Sequence, residues 1–141
     1  MVNHFAMAEQ IDTAVSVASS SGKLPDGVIR IGQVAVDAQP GCRVFVHYNG
    51  PTDQLTGMCA GMAVLEPGAS PHPPHQHPEE EFLIVSDGTG EIECGGQVTR
   101  VGPGDIMYCA GGVLHGITNT GPVPLTFYWS KWLAASTTSK T

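Results

Sequence analysis

Residues 72–88 read HPPHQHPEEEFLIVSDG, and both halves of that stretch bear on the fold. The second half, Glu81–Ser86, is a short apolar run that stops at Asp87-Gly88, as a buried strand ending in a turn does. The first half packs three histidines and three glutamates into the ten positions 72–81. In extended backbone, side chains two apart share a face. His75 and His77 therefore point the same way, and Glu81 has the same parity. Two imidazoles and a carboxylate on one face suit Fe(II), Mn(II), Zn(II), Ni(II) or Cu(II). A further nitrogen comes from His115, which follows the Ala110-Gly111-Gly112 turn and opens another strand-like run. The expected metal ligands are His75, His77, Glu81 and His115. Four ligands leave two positions of an octahedron for water or substrate.

Working outward, strand-like runs alternate with turn residues on both sides. They are Val28–Val36, Cys42–Tyr48, Met58–Leu65, Glu91–Cys94, Gln97–Val101, Ile106–Cys109, His115–Asn119 and Leu125–Trp132. Gly95-Gly96 suits a tight hairpin. With 18 glycines and 11 prolines in 141 residues, the chain has turns enough for many short strands. That spacing predicts an antiparallel double-sheet sandwich or barrel. A short helix is expected within residues 11–18, inside an N-terminal arm of residues 1–27. The barrel is expected over 28–132, with a loose tail over 133–141.

The same stretch carries a resemblance. The chain resembles the cupin superfamily through two motifs. The first runs from Gly68 through His75-Gln76-His77 and Glu81 to Gly88. The second runs from Pro103-Gly104-Asp105 through Gly112 and His115 to Asn119. The sequence departs from the pattern in having six residues between Gly68 and His75, and in having Ala110 where the family usually has proline. The resemblance implies a small single-domain cupin, a jelly-roll β-barrel around one divalent metal. Cupin chemistry is diverse, so the fold names no reaction.

Around the expected ligands, most residues have a plain reading. His72 precedes a stiff Pro-Pro pair and is expected at the rim, or supporting a ligand, rather than coordinating. Glu79 and Glu80 read as solvated charges. Asn119 reads as an anchor for a strand end, and Gly88, Gly104 and Gly112 as turn devices. Met58, Met62 and Met107 read as packing, and Cys109 as a buried thiol. Phe127, Trp129 and Lys131 alternate with Tyr128, Ser130 and Trp132, so one set faces inward. Lys131 is expected to face solvent; turned inward, it would be a buried cation able to hold an anionic substrate.

The formal net charge is −7, and the six basic residues are scattered from Lys23 to Lys140. Without a cationic cluster, nucleic acid and anionic membrane are poor partners. No run is long and apolar enough for a membrane helix. The four cysteines form no CxxC pair and read as free thiols of a cytoplasmic protein. The doubly apolar Glu81–Ser86 strand needs cover on both faces, which points to a homodimer.

Three functions fit a small-molecule pocket of this kind. The first is an Fe(II)-type dioxygenase or oxidoreductase on a small oxygenated substrate, with Glu81 or a metal-bound water as base. The second is a non-oxidative, metal-assisted isomerase, epimerase or lyase. The third is a non-catalytic binding module. Oxidative chemistry is slightly preferred.

Overall fold

The structure is a computed structural model, and it describes residues 22–136. The helix expected within residues 11–18 lies outside the described residues. Nine strands follow in order: β1 (Val36–Gln39), β2 (Cys42–Gly50), β3 (Leu55–Leu65), β4 (Glu80–Asp87), β5 (Gly90–Cys94), β6 (Gln97–Val101), β7 (Ile106–Cys109), β8 (His115–Thr118) and β9 (Leu125–Ala134). They build a six-stranded sheet in the order β1-β2-β3-β9-β4-β7 and a three-stranded sheet in the order β6-β5-β8. Every pairing between these strands is antiparallel. This is the double-sheet jelly-roll barrel expected from the strand spacing.

Alternation decides which residues fill the barrel. On β9 the inward set is Leu125, Phe127, Trp129 and Lys131, and on β4 it is Glu81, Leu83 and Val85. Together with Cys59, Ala63 and Leu65 of β3 and Ile92 and Ile117 of the small sheet, they close a continuous core. Inward positions line up across the large sheet in rows. One row is apolar: Trp129 stands between Gly61 and Leu83, and Leu83 stands opposite Met107. The row two residues nearer the end of β9 is polar. There Lys131 stands between Cys59 and Glu81, and Glu81 stands opposite Cys109. All four of these residues are fully buried. The polar row thus lies at one end of the barrel, with the apolar row beneath it.

The run Val28–Val36 does not form a strand. Residues Ile31–Gln33 make a 3-10 turn instead, and pairing begins at Val36. The reason is local. The Gln33 N–H donates to the Arg30 carbonyl, while the Gln33 side-chain oxygen accepts from the Arg30 N–H. These bonds serve the backbone groups that a ladder would have used. Gly95 and Gly96 take φ of 61° and 85°, the two left-handed residues that a tight β5–β6 hairpin requires. Gly88, Gly104 and Gly112 also take positive φ, as expected of turn residues. Asn119 is buried at the end of β8. Its amide donates to the Leu65 and Val123 carbonyls, and its oxygen accepts from the Gly121 N–H.

Candidate metal centre

The two sheets meet where the residue 72–79 segment crosses from one to the other. His75 pairs with His115 by two backbone hydrogen bonds, His75 N–H to the His115 carbonyl at 2.9 Å and the reverse at 2.8 Å. That bridge fixes one histidine on the segment against another at the start of β8. His77 is held by its carbonyl, which accepts from the Gly112 N–H at 2.7 Å. Gly111 lies so close to the Pro78 carbonyl that an added Cβ would run into it. The Ala110-Gly111-Gly112 turn is therefore a clamp on the ligand-bearing segment.

The rings of His75, His77 and His115 converge. Their centroids are 4.7–5.1 Å apart, and their planes are steeply inclined to one another. One nitrogen from each lies within 4.8 Å of the others, so the three are positioned to bind a metal ion. Glu81, inward from β4, sets its Oε1 3.0 Å from His77 Nε2 and 3.0 Å from His115 Nε2. Three of the four side chains that the sequence singled out, His75, His77 and His115, form the converging set, and Glu81 stands against two of their rings.

Hydrogen bonds fix which nitrogens face the centre. His115 Nδ1 lies 2.8 Å from the Val113 carbonyl, and His77 Nδ1 lies 3.2 Å from both the Glu79 carbonyl and the Glu79 carboxylate. Those oxygens only accept, so each Nδ1 carries the proton. In the neutral rings each Nε2 then turns a lone pair toward the oxygen of Glu81. Oε1 and the two Nε2 atoms tolerate these 3.0 Å contacts only with a proton or a metal ion among them. This donor set fits a divalent cation. For His115, burial pulls the pKa down, but hydrogen bonding to Glu81 and to the Val113 carbonyl outweighs it, and the net shift is upward. For His75, burial and then the neighbouring imidazoles push the pKa down to about 3, so its ring is neutral at ordinary pH, as a ligand must be.

The surroundings correct two expectations. Glu79 is not a solvated charge. It is buried and holds the outer nitrogen of His77. The signal was present, because Glu79 shares the parity of His75, His77 and Glu81. Glu80 does point outward, accepting from the Trp132 indole at 2.9 Å. Lys131 also departs from expectation. It faces inward and is 1% exposed. The reason is register: Phe127 and Trp129 fill the core, and Lys131 shares their parity on β9. His72 stands outside the converging trio. It is largely buried and lies against His75, with ring centroids 3.7 Å apart. Cys109 is the buried thiol expected. Burial, with Cys94 and Glu81 nearby, pushes its pKa to about 12, so it is no thiolate.

A hollow of about 670 Å³ lies elsewhere, lined by Lys23, Asp26, Tyr48 and Asp53. It is an open surface groove without a converging donor set. Beside the histidines the free space is only about 10 Å³. A roomier cavity of about 390 Å³ is lined by Asn49, Gly57, Glu79 and Leu133. Gly57 and Leu133 are cross-strand partners one inward row beyond Cys59 and Lys131, so this cavity lies over the polar end of the barrel.

Comparison with known proteins agrees with this picture. A family model described as a cupin domain matches residues 61–131. No curated protein matches the chain. Among solved structures, KdgF from a Halomonas species is similar at 22% identity and a TM-score of 0.62, covering 76% of this chain and 94% of its own. A predicted oxalate decarboxylase from Thermotoga maritima is 21% identical with a TM-score of 0.61, over 76% of this chain and 99% of its own. The polyketide cyclase RemF from Streptomyces resistomycificus is 17% identical with a TM-score of 0.63, over 77% of this chain and 80% of its own. At such identities the likeness shows the shared fold.

Proposed function

The chain belongs to the cupin superfamily, and from that premise we propose that it is a divalent-metal-dependent enzyme acting on a small oxygenated organic substrate. His75, His77, His115 and Glu81 would hold the ion. The observation that carries this reading is the convergence of three imidazoles, with the buried Glu81 carboxylate 3.0 Å from two of them.

A bound divalent ion supplies Lewis acidity and, if it is iron, the capacity to react with dioxygen. The chain's own groups do the rest. Glu79 and the Val113 carbonyl hold the outer nitrogens of His77 and His115, which fixes the tautomer and the ring orientation. The apolar row of Trp129, Leu83 and Met107 keeps water from the site's inner side. Glu81 lies within reach of two of these rings, and it is the group proposed to accept a substrate proton.

Three neutral-capable imidazoles and a carboxylate suit Fe(II), so an oxidative reaction is the leading version. Structures with this fold include one described as a polyketide cyclase and one as a predicted oxalate decarboxylase. A non-oxidative isomerase, epimerase or lyase is accordingly the second version.

Elemental analysis of the purified protein should find about one divalent ion per chain, and His115→Ala should abolish it. A wild-type protein that holds no ion after loading would end this reading. Fe(II)-loaded protein should take up O₂ with a panel of enols, diols and thiols. Turnover retained with Zn(II) or Mn(II) under argon would transfer the assignment to the non-oxidative version.

We also propose a cytoplasmic homodimer. The four cysteines are free thiols, which fits a reducing compartment. No helix among the described residues is long and apolar enough to cross a membrane. The outer face of β4, β7 and β9 presents Phe82, Tyr108 and Tyr128, each more than two-fifths exposed. That is the uncovered second face that the apolar β4 run implied.

A further inference from the structure

Cys94 and Cys109 are inward residues of the two different sheets. On β5, Cys94 shares the parity of the buried Ile92 and packs against the core. On β7, Cys109 shares the parity of the buried Met107. Both side chains stand beside His115. Cys94 is its direct cross-strand partner, and Cys109 Sγ lies 3.3 Å from His115 Nδ1. Cys94 Sγ in turn lies 3.9 Å from the Tyr108 carbonyl oxygen, which belongs to the peptide bond that enters Cys109. The two thiols also act on each other: the Cys94 side chain, by its charge and by a hydrogen bond, adds to the burial that raises the Cys109 pKa. The other two cysteines stand on different strands, Cys42 opposite Leu65 and Cys59 opposite Lys131.

The two thiols of this pair differ in access. Cys109 is 1% exposed. Cys94 is half-buried and lines a cavity of about 280 Å³, with Thr99 of β6 and Ile106 and Met107 of β7. Thr99 and Ile106 are exposed, so this seam between the edge strands of the two sheets opens to solvent. A small oxidant therefore meets Cys94 first, with Cys109 behind it.

We propose that Cys94 and Cys109 form a reversible dithiol site, which hydrogen peroxide closes into a disulfide joining the two sheets beside His115. The Cys94 sulfur attacks one peroxide oxygen and the O–O bond breaks. The thiol proton leaves with the departing hydroxide as water, and Cys94 becomes a sulfenic acid. The Cys109 sulfur then attacks the Cys94 sulfur. The S–O bond breaks, the S–S bond forms, and the Cys109 proton leaves with hydroxide as a second water. Two thiols have lost two electrons, and one peroxide has gained them. A dithiol reductant such as dithiothreitol reverses the change by exchange. The neighbouring thiol decides the product, because it traps the sulfenic acid before a second peroxide carries it to sulfinic acid. The new bond would link β5 to β7, which share no ladder, since they lie in different sheets.

The test treats the full chain with hydrogen peroxide, quenches with catalase, alkylates free thiols and maps the peptides by mass spectrometry. Wild type should lose about 2 Da per chain, and the Cys94 and Cys109 peptides should run as one species that dithiothreitol separates. Cys42 and Cys59 should remain alkylated. Cys109→Ser should instead carry Cys94 on to sulfinic acid, a gain of about 32 Da. Cys94→Ser should leave Cys109 a free thiol at the same dose. If Cys109→Ser fails to fold, the wild-type map and Cys94→Ser still decide the matter. Sulfinic acid at Cys94 of the wild type with Cys109 still free would overturn the proposal. So would a crosslink between any other pair, within one chain or between two, or four thiols left unchanged.

Discussion

Glu79 bonds to the outer nitrogen of His77, and its loss should be felt at the inner one. Glu79→Ala should weaken metal binding by about 10–100-fold without removing a ligand, as the loss of a ligand-orienting partner usually does. Competition with a chromophoric chelator would measure it, and unchanged affinity would make Glu79 a packing residue only. His75 gives a pH prediction for the metal-free protein. Its folded pKa of about 3 lies below the unfolded value of about 6.5. Between those values the unfolded chain binds a proton that the folded chain refuses, so stability falls as pH falls through that window. His115 shifts the other way, and its stabilising share is already complete below pH 6.5. Urea midpoints taken from pH 7 to pH 4 should therefore decline, and His75→Asn should flatten that decline. At this scale the sequence was informative: parity put His75, His77 and Glu81 on one face, and the Ala110-Gly111-Gly112 turn marked His115, which the structure brings to His75 and His77. Glu79 was legible by the same parity, but a glutamate beside two others reads as solvent-facing until its histidine partner is seen. The inward turn of Lys131 needed the register of β9, which composition does not carry.

Elements place these residues through close backbone approaches. The Ala110-Gly111-Gly112 turn presses on Pro78 and hydrogen-bonds the His77 carbonyl. Gly111→Ala should push the segment outward and displace His77. We expect metal affinity to fall at least about tenfold, with a stability loss of roughly 1–3 kcal/mol from overpacking. Unchanged metal affinity and melting temperature would mean that the turn yields freely. The turn residues and eight of the nine strands were readable from glycine punctuation and alternation. The exception is instructive. Val28–Val36 alternates as a strand should, yet Arg30 and Gln33 satisfy each other locally and pairing starts only at Val36. Alternation reports which positions have apolar side chains; it does not report where backbone donors find partners.

Across the whole molecule, the outer aromatic face is the feature left uncovered. Phe82 packs edge-on to Tyr108 at 5.7 Å and against Trp132 at 5.6 Å, and this cluster extends over β4, β7 and β9. If two copies bury it, Phe82→Glu should convert a dimer to a monomer in light scattering. A wild-type monomer at micromolar concentration would dismiss the idea.

The bridge between His75 and His115 has a mechanical meaning as well. Glu81 belongs to the large sheet, His115 to the small one, and His75 and His77 to the segment that crosses between them. An ion gripping all four would rivet the halves of the shell together at the open end. Its removal would leave that rim to hydrogen bonds alone, the His75–His115 pair and the Gly112–His77 bond among them. Chelation should therefore hasten amide exchange around His75 and His115 while the distant wall near Leu65 and Leu125 stays protected. The rim would then loosen well before the barrel melts.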